Sequence, residues 1–97
     1  MDYYVYVLQS EMNKKIYFGQ STNVSQRLEK HNKGYSIYTK YFRPWVLFSY
    51  KKANSRTEAI SIERKLKNLK SKKKVIEFFE NQEFILVKNN TDFMLDF

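Results

Sequence analysis

Five side chains have the types and the spacing to bind anions and move protons: Tyr6, Tyr17, Arg27, His31 and Glu63. Tyr6 and Tyr17 lie on two short hydrophobic runs separated by a polar stretch. Arg27 and His31 are four residues apart, which on a helix puts them on one face, at about 100° to the apolar Leu28 and so at the rim of a core. Glu63 directly follows the apolar Ile62 and is therefore also a rim position. Glu58 is accounted for as a capping acid and Glu29 suits an exposed face, which leaves Glu63 without a structural duty. Other chemistries lack their parts. There is no cysteine, so no disulfide scaffold, thiolate metal site or Cys nucleophile, and there is a single histidine. No Gly-rich phosphate loop and no close pair of carboxylates is present, which removes P-loops and two-carboxylate glycosidases along with zinc sites and Ser-His-Asp triads.

Each of the five residues also has an ordinary reading on its own. Tyrosines are common in sheets, an arginine is common on a surface helix, and a histidine near a helix end is favoured by the dipole. Glu63 has Lys67 at i+4, the spacing of a solvated ion pair. Their meaning depends on the elements that place them.

Residues 3–8 are aromatic and β-branched and read as a central strand, apolar on both faces. Residues 16–19 form a second strand paired to it as a hairpin. With the turn centred between Glu11 and Met12, Tyr6 and Tyr17 stand directly opposite, about 4.5–5.5 Å apart at Cβ. A one-residue slip would separate them. Asn23 and Gln26 form a capping box for a helix that runs to about Asn32 and stops at Gly34, with Val24 and Leu28 turned inward. Residues 35–44 are aromatic and basic without a clear period, and Trp45–Tyr50 reads as the third strand. Ser55 and Glu58 form a second capping box before Ala59, Ile62, Leu66 and Leu69, and a third helix begins near Ser71. Phe84–Val87 has the composition of an edge strand. The order β-β-α-β-α-α gives an α/β fold, a small sandwich with a three-stranded, mainly antiparallel central sheet flanked by helices. Residues 1–82 form the domain, and 83–97 an acidic, aromatic tail that either packs on it or stays in solvent.

The chain has 97 residues and a formal charge of +8, with aromatics at 18% and only 2 glycines and 1 proline, which argues against disorder. A single core suffices at this length. Charge is unevenly spread: residues 77–97 sum to −4 and residues 1–76 to +12. Seven basic residues and no acid occupy 64–74, including Lys72, Lys73 and Lys74 in the first turn of the third helix. Lysine is the wrong sign for that end of a helix dipole, so these charges serve something other than the helix. Such a body suits a polyanion, chiefly nucleic acid. No run is long and apolar enough for a membrane span and no signal peptide is evident, so the expectation is a cytoplasmic protein, monomeric or a weak dimer.

In order, Tyr4-Val5-Tyr6, ten residues, Tyr17-Phe18-Gly19, Arg27 with His31, and Glu63 in the helix after Ser55 resemble the GIY-YIG nuclease superfamily. That superfamily includes the nuclease domain of the repair subunit UvrC and several homing and restriction endonucleases. The stretch Lys40–Tyr50, followed by the helix from Ser55, is similar to its compact single-domain bacterial members. The resemblance covers roughly residues 3–70. It departs where Tyr4 replaces the leading glycine and Phe18 the isoleucine, both apolar-for-apolar exchanges away from the chemistry. The late supporting asparagine of many relatives has only Asn68 and Asn81 as candidates.

The resemblance implies a metal-dependent endonuclease that hydrolyses DNA, with a role in repair or recombination. It implies that Glu63 holds one Mg²⁺ or Mn²⁺, that Arg27 neutralises charge on the scissile phosphate, and that a tyrosine of the pair activates or orients water, with His31 beside them and Gly19 a structural part of the motif. The residue types suit these roles: one carboxylate plus waters satisfies Mg²⁺, and a guanidinium fork fits two phosphate oxygens. A tyrosine base, with an ordinary pKa of about 10, needs a cation nearby. Lys40, Arg43, Lys72, Lys73 and Lys74 are the expected nucleic-acid contacts. The alternative is a non-catalytic nucleic-acid-binding module on the same scaffold. A protein-interaction domain fits the +12 body less well.

Overall fold

Each of the three α-helices begins at a side chain that accepts a hydrogen bond from its first turn. In the computed structural model, which describes residues 2–87, α1 (Val24–Lys33) starts where Asn23 Oδ1 accepts from the Gln26 N–H at 3.0 Å. The α2 helix (Arg56–Asn68) starts where Ser55 Oγ accepts from Glu58 N–H at 3.1 Å, and α3 (Lys72–Asn81) where Ser71 Oγ accepts from Lys74 N–H at 3.4 Å. The Glu58 carboxylate closes its box one residue early, on the backbone and side-chain amides of Asn54. Gly34 ends α1 in the left-handed region at φ +84, its N–H turned back to the carbonyls of Lys30 and His31.

Four antiparallel strands form the sheet: β1 (Tyr3–Ser10), β2 (Ile16–Ser21), β3 (Trp45–Ala53) and β4 (Ile85–Leu86), in the spatial order β2-β1-β3-β4. The three-stranded sheet expected from sequence therefore gains a fourth strand. It is two residues long, lies within the Phe84–Val87 stretch read as an edge strand, and pairs with β3. Phe84, in the stretch expected as a tail beyond residue 82, is buried in the core, so this first part of it packs on the domain. The acidic stretch 88–97 lies outside the described residues.

Both faces of β1 are covered, and Val5, Tyr6, Val7 and Leu8 are all buried, as expected of a central strand. One face carries the larger core: Val5, Val7 and Phe48 meet Ala59, Ile62 and Leu66 of α2 and Val75 and Phe79 of α3. The other carries a smaller core, in which Tyr6, Leu8 and Trp45 meet Tyr17, Val24, Leu28 and Phe42 under α1. Among the described residues no helix is long and apolar enough to cross a membrane.

The β1–β2 register corrects one expectation. Tyr6 pairs with Gly19 and Tyr17 with Leu8, so the hairpin is centred between Met12 and Asn13, not between Glu11 and Met12. Ser10 shifts the turn. Its Oγ accepts from the N–H groups of Met12 and Asn13, both at 3.2 Å, and donates to the Phe42 carbonyl at 2.6 Å, while Lys14 takes a left-handed φ of 66. Tyr6 and Tyr17 are thus diagonal neighbours, still on one face because the register moved by two residues in all.

Candidate active site

Along the outer strand β2, an aromatic cluster surrounds one imidazole. The rings of Tyr6 and Tyr17 have centroids 6.4 Å apart, and the His31 ring lies 6.1 Å from Tyr6 and 4.9 Å edge-on from Tyr17. Trp45 and Tyr38 each approach Tyr17 to 6.2 Å. Tyr38, Tyr17 and Lys67 of α2 line a cleft of about 430 Å³. Tyr17 is half-buried beside this cleft, whereas Tyr6 stands behind it at 1% exposure.

His31 was expected at the core rim and is buried at 1% exposure. Both ring nitrogens are satisfied, which is the condition for burying a polar ring. Nε2 lies 3.1 Å from the Tyr6 hydroxyl and Nδ1 lies 2.8 Å from Thr39 Oγ1. The Arg27 guanidinium, half-buried one helical turn earlier, lies beside the hydroxyls of Tyr6 and Tyr17, close enough to act electrostatically on both. Arginine only donates, so the Tyr6 oxygen can face Arg27 only as an acceptor, which leaves its own proton for His31.

The electrostatics agree. Burial lowers the His31 pKa below its ordinary 6.5, and the nearby Arg27 charge pushes it the same way, so the imidazole is neutral and can accept. Burial raises the Tyr6 pKa above 10.0 against the opposing pull of Arg27, and Tyr6 therefore rests protonated. The Arg27 pKa is raised in turn, first by the Tyr6 hydroxyl beside it, and the guanidinium stays charged.

Glu63 approaches from the opposite layer, on α2. Its side chain is 20% exposed and its Oε2 takes the Lys67 ammonium at 3.2 Å, the i+4 pair evident in the sequence. Its charge is also felt at Tyr6, the smallest of the influences acting there. Among the described residues no group of three or more His, Cys, Asp or Glu side chains converges, so a closed protein cage for a metal is not built. A single partly buried carboxylate, paired with a lysine that lines the cleft, does suit an ion such as Mg²⁺, which keeps several waters and takes substrate phosphate oxygens as ligands.

The other expected contacts fall elsewhere. Lys40 Nζ lies 5.0 Å over the Tyr41 ring, and Arg43 Nε donates to the Lys40 carbonyl at 2.7 Å, so both help hold the loop that carries Thr39. Lys72, Lys73 and Lys74 form the first turn of α3, with Lys73 and Lys74 exposed. Asn68 and Asn81 are exposed and make no side-chain hydrogen bond among the described residues.

Two residues that matter were not singled out from sequence. Thr39 lies in the patternless 35–44 segment, where nothing marks it as the partner of a buried histidine. Asn32 read as a helix end. Its amide instead donates to the Trp45 carbonyl at 2.9 Å and accepts from the Trp45 N–H at 2.6 Å, fastening α1 to the start of β3.

The family described as the GIY-YIG catalytic domain matches residues 2–76. The UPF0213 protein SH2523 of Staphylococcus haemolyticus is 35% identical over 74 residues, covering 75% of this chain and 89% of that protein. The UPF0213 protein lwe0147 of Listeria welshimeri is 34% identical over 83 residues, covering 84% and 91%. Among solved structures, the solution NMR structure of the UPF0213 protein BH0048 from Bacillus halodurans is 33% identical, covers 76% of this chain and 79% of its own, and has a TM-score of 0.49.

Proposed function

The chain belongs to the GIY-YIG family, and from that premise we propose that it is a divalent-metal-dependent endonuclease that hydrolyses phosphodiester bonds of DNA, working in repair or recombination in the cytoplasm. The observation that carries the reading is the buried Tyr6–His31–Thr39 hydrogen-bond chain with the Arg27 guanidinium beside both tyrosine hydroxyls.

Arg27, half-buried beside the two hydroxyls, would present its guanidinium fork to two oxygens of the scissile phosphate. Tyr17 borders the cleft and orients the attacking water. The proton released by that water moves toward the buried Tyr6–His31 pair. Tyr6 need not become a free tyrosinate, because its hydroxyl donates to His31 Nε2 while Thr39 holds Nδ1. Glu63 would hold Mg²⁺ or Mn²⁺, which when bound supplies Lewis-acid stabilisation of phosphate charge and a lowered water pKa. Lys40, Arg43 and Lys72–Lys74 are the contacts proposed for the rest of the phosphate backbone.

The test is a cleavage screen with Mg²⁺ or Mn²⁺ over duplex, nicked, forked and single-stranded DNA, run beside Glu63→Gln. Cleavage by the wild type and its loss in a folded Glu63→Gln protein are expected. DNA binding without cleavage of any substrate would instead support a non-catalytic module on this scaffold.

A further inference from the structure

Next to the tyrosine cleft, four lysines surround one concavity that contains no carboxylate. Lys14 and Lys15 come from the β1–β2 turn, and Lys70 and Lys72 from the link between α2 and α3. The cavity between them measures about 410 Å³, and its floor is apolar: Phe18, Leu69 and Val75. Among the described residues no carboxylate pairs with Lys14 or Lys70. Lys15 Nζ lies 4.5 Å over the Phe42 ring, whereas Lys14 and Lys70, both at this low-dielectric hollow, repel one another unless an anion joins them. An apolar floor, however, gives a bare phosphate or an acidic peptide nothing to fill it with. The pocket suits a ligand that is anionic at the rim and flat and apolar beneath.

Its position narrows the ligand further. Ile16 and Phe18 of β2 line this pocket and also the cleft bordered by Tyr17, Tyr38 and Lys67. A chain lying along the β2 edge passes from one into the other. In a continuous duplex the bases are stacked inside, and a protein surface meets chiefly phosphates and groove edges. A base can enter a hollow and lie against Phe18 only where its strand is unpaired. We propose that this pocket receives an unpaired nucleotide flanking the bond held at Arg27 and Tyr17, its base over Phe18 and its phosphate among Lys14 and Lys70, so that DNA with a single-stranded or splayed arm is the preferred substrate class. The flanking position rests on the nuclease reading; occupancy of the pocket by a nucleotide does not.

The experiment measures binding apart from turnover, in a Glu63→Gln background with Mg²⁺. Fluorescence anisotropy is read with a labelled oligo(dT), a splayed-arm DNA and a blunt duplex of equal length. Lys14→Gln with Lys70→Gln should weaken oligo(dT) and splayed-arm binding roughly tenfold, with the blunt duplex changed less than about twofold. The slope of log K against log salt for oligo(dT) should flatten by about 1.4, at about 0.7 for each lost contact to a single strand. Phe18→Leu keeps an apolar floor without the ring and should weaken oligo(dT) binding roughly fivefold without changing the salt slope. Equal losses on duplex and single strand would overturn the proposal, as would unchanged binding in both variants or displacement of oligo(dT) by an equally charged polyglutamate peptide. Failure of the wild type to cut any DNA would sink the nuclease reading alone, because the binding measurements need no cleavage.

Discussion

Gly19 stands directly across from Tyr6 on the neighbouring strand, and the phenol ring lies over it where a side chain would be. A Cβ at position 19 would fall 2.5 Å from Tyr6 Cζ and 2.9 Å from Cε1. The glycine is there for space, and the space is what lets the Tyr6 hydroxyl reach both Arg27 and His31.

Gly19→Ala should therefore damage stability and rate together. Forcing a methyl group against a buried ring costs about 1–3 kcal/mol. Chemical denaturation should show that loss, and the displaced Tyr6 hydroxyl should lower cleavage beyond what the unfolded fraction explains. A variant as stable and active as wild type would show that the ring can give way freely.

Arg27→Lys keeps the charge and removes the guanidinium fork beside the two hydroxyls. Cleavage at saturating DNA should fall about 10²-fold or more, with a much smaller loss of DNA affinity. Equal losses in binding and turnover would mark Arg27 as a plain phosphate contact.

The His31 prediction concerns pH. Its folded pKa lies below the ordinary 6.5, so between the two values the unfolded chain binds more protons than the folded one. The stability it contributes is present above 6.5 and is lost as pH falls from there through the lowered folded value. Urea denaturation of the wild type and His31→Gln across pH 7 to 4.5 should show the advantage of the wild type shrinking on acidification. The acidic limb of the rate profile should change in the same variant, and an advantage that grows in acid would contradict a neutral His31.

Asn32→Ala removes both side-chain bonds to the Trp45 backbone and should cost about 1–3 kcal/mol, because a partly buried N–H and C=O lose their partner. Asn32→Asp, which keeps the acceptor and loses the donor, should fall between wild type and alanine in the same denaturation assay.

The helices were legible because their signals are local. Asn23, Ser55 and Ser71 cap the helices they announce, and Gly34 takes the left-handed turn that ends the first. The central strand was legible from its two apolar faces. The hairpin register was not, because it depends on Ser10 reaching Phe42, a partner far along the chain. The edge strand β4 was legible from the apolar run Phe84–Val87, but its pairing partner was not, since which strand it lies against is settled by the packing of α3 and Phe84. Of the site, the residue set could be assembled in order, but the depth of His31 could not. Its burial depends on Thr39, which no periodicity marks.

The sheet separates the machinery into two independently packed halves. Tyr6, Tyr17, Arg27 and His31 all come from the first 31 residues and gather on the α1 side, while Glu63 rides on α2 over the other core. Truncating a side chain in the larger core, such as Phe79 on α3, disturbs the footing of the carboxylate while leaving the arginine and imidazole held by their own contacts. Damage to the smaller core does the reverse. The two halves can therefore drift in sequence at different rates, each constrained by its own neighbours, and are answerable to one another only across the thickness of β1 and β2.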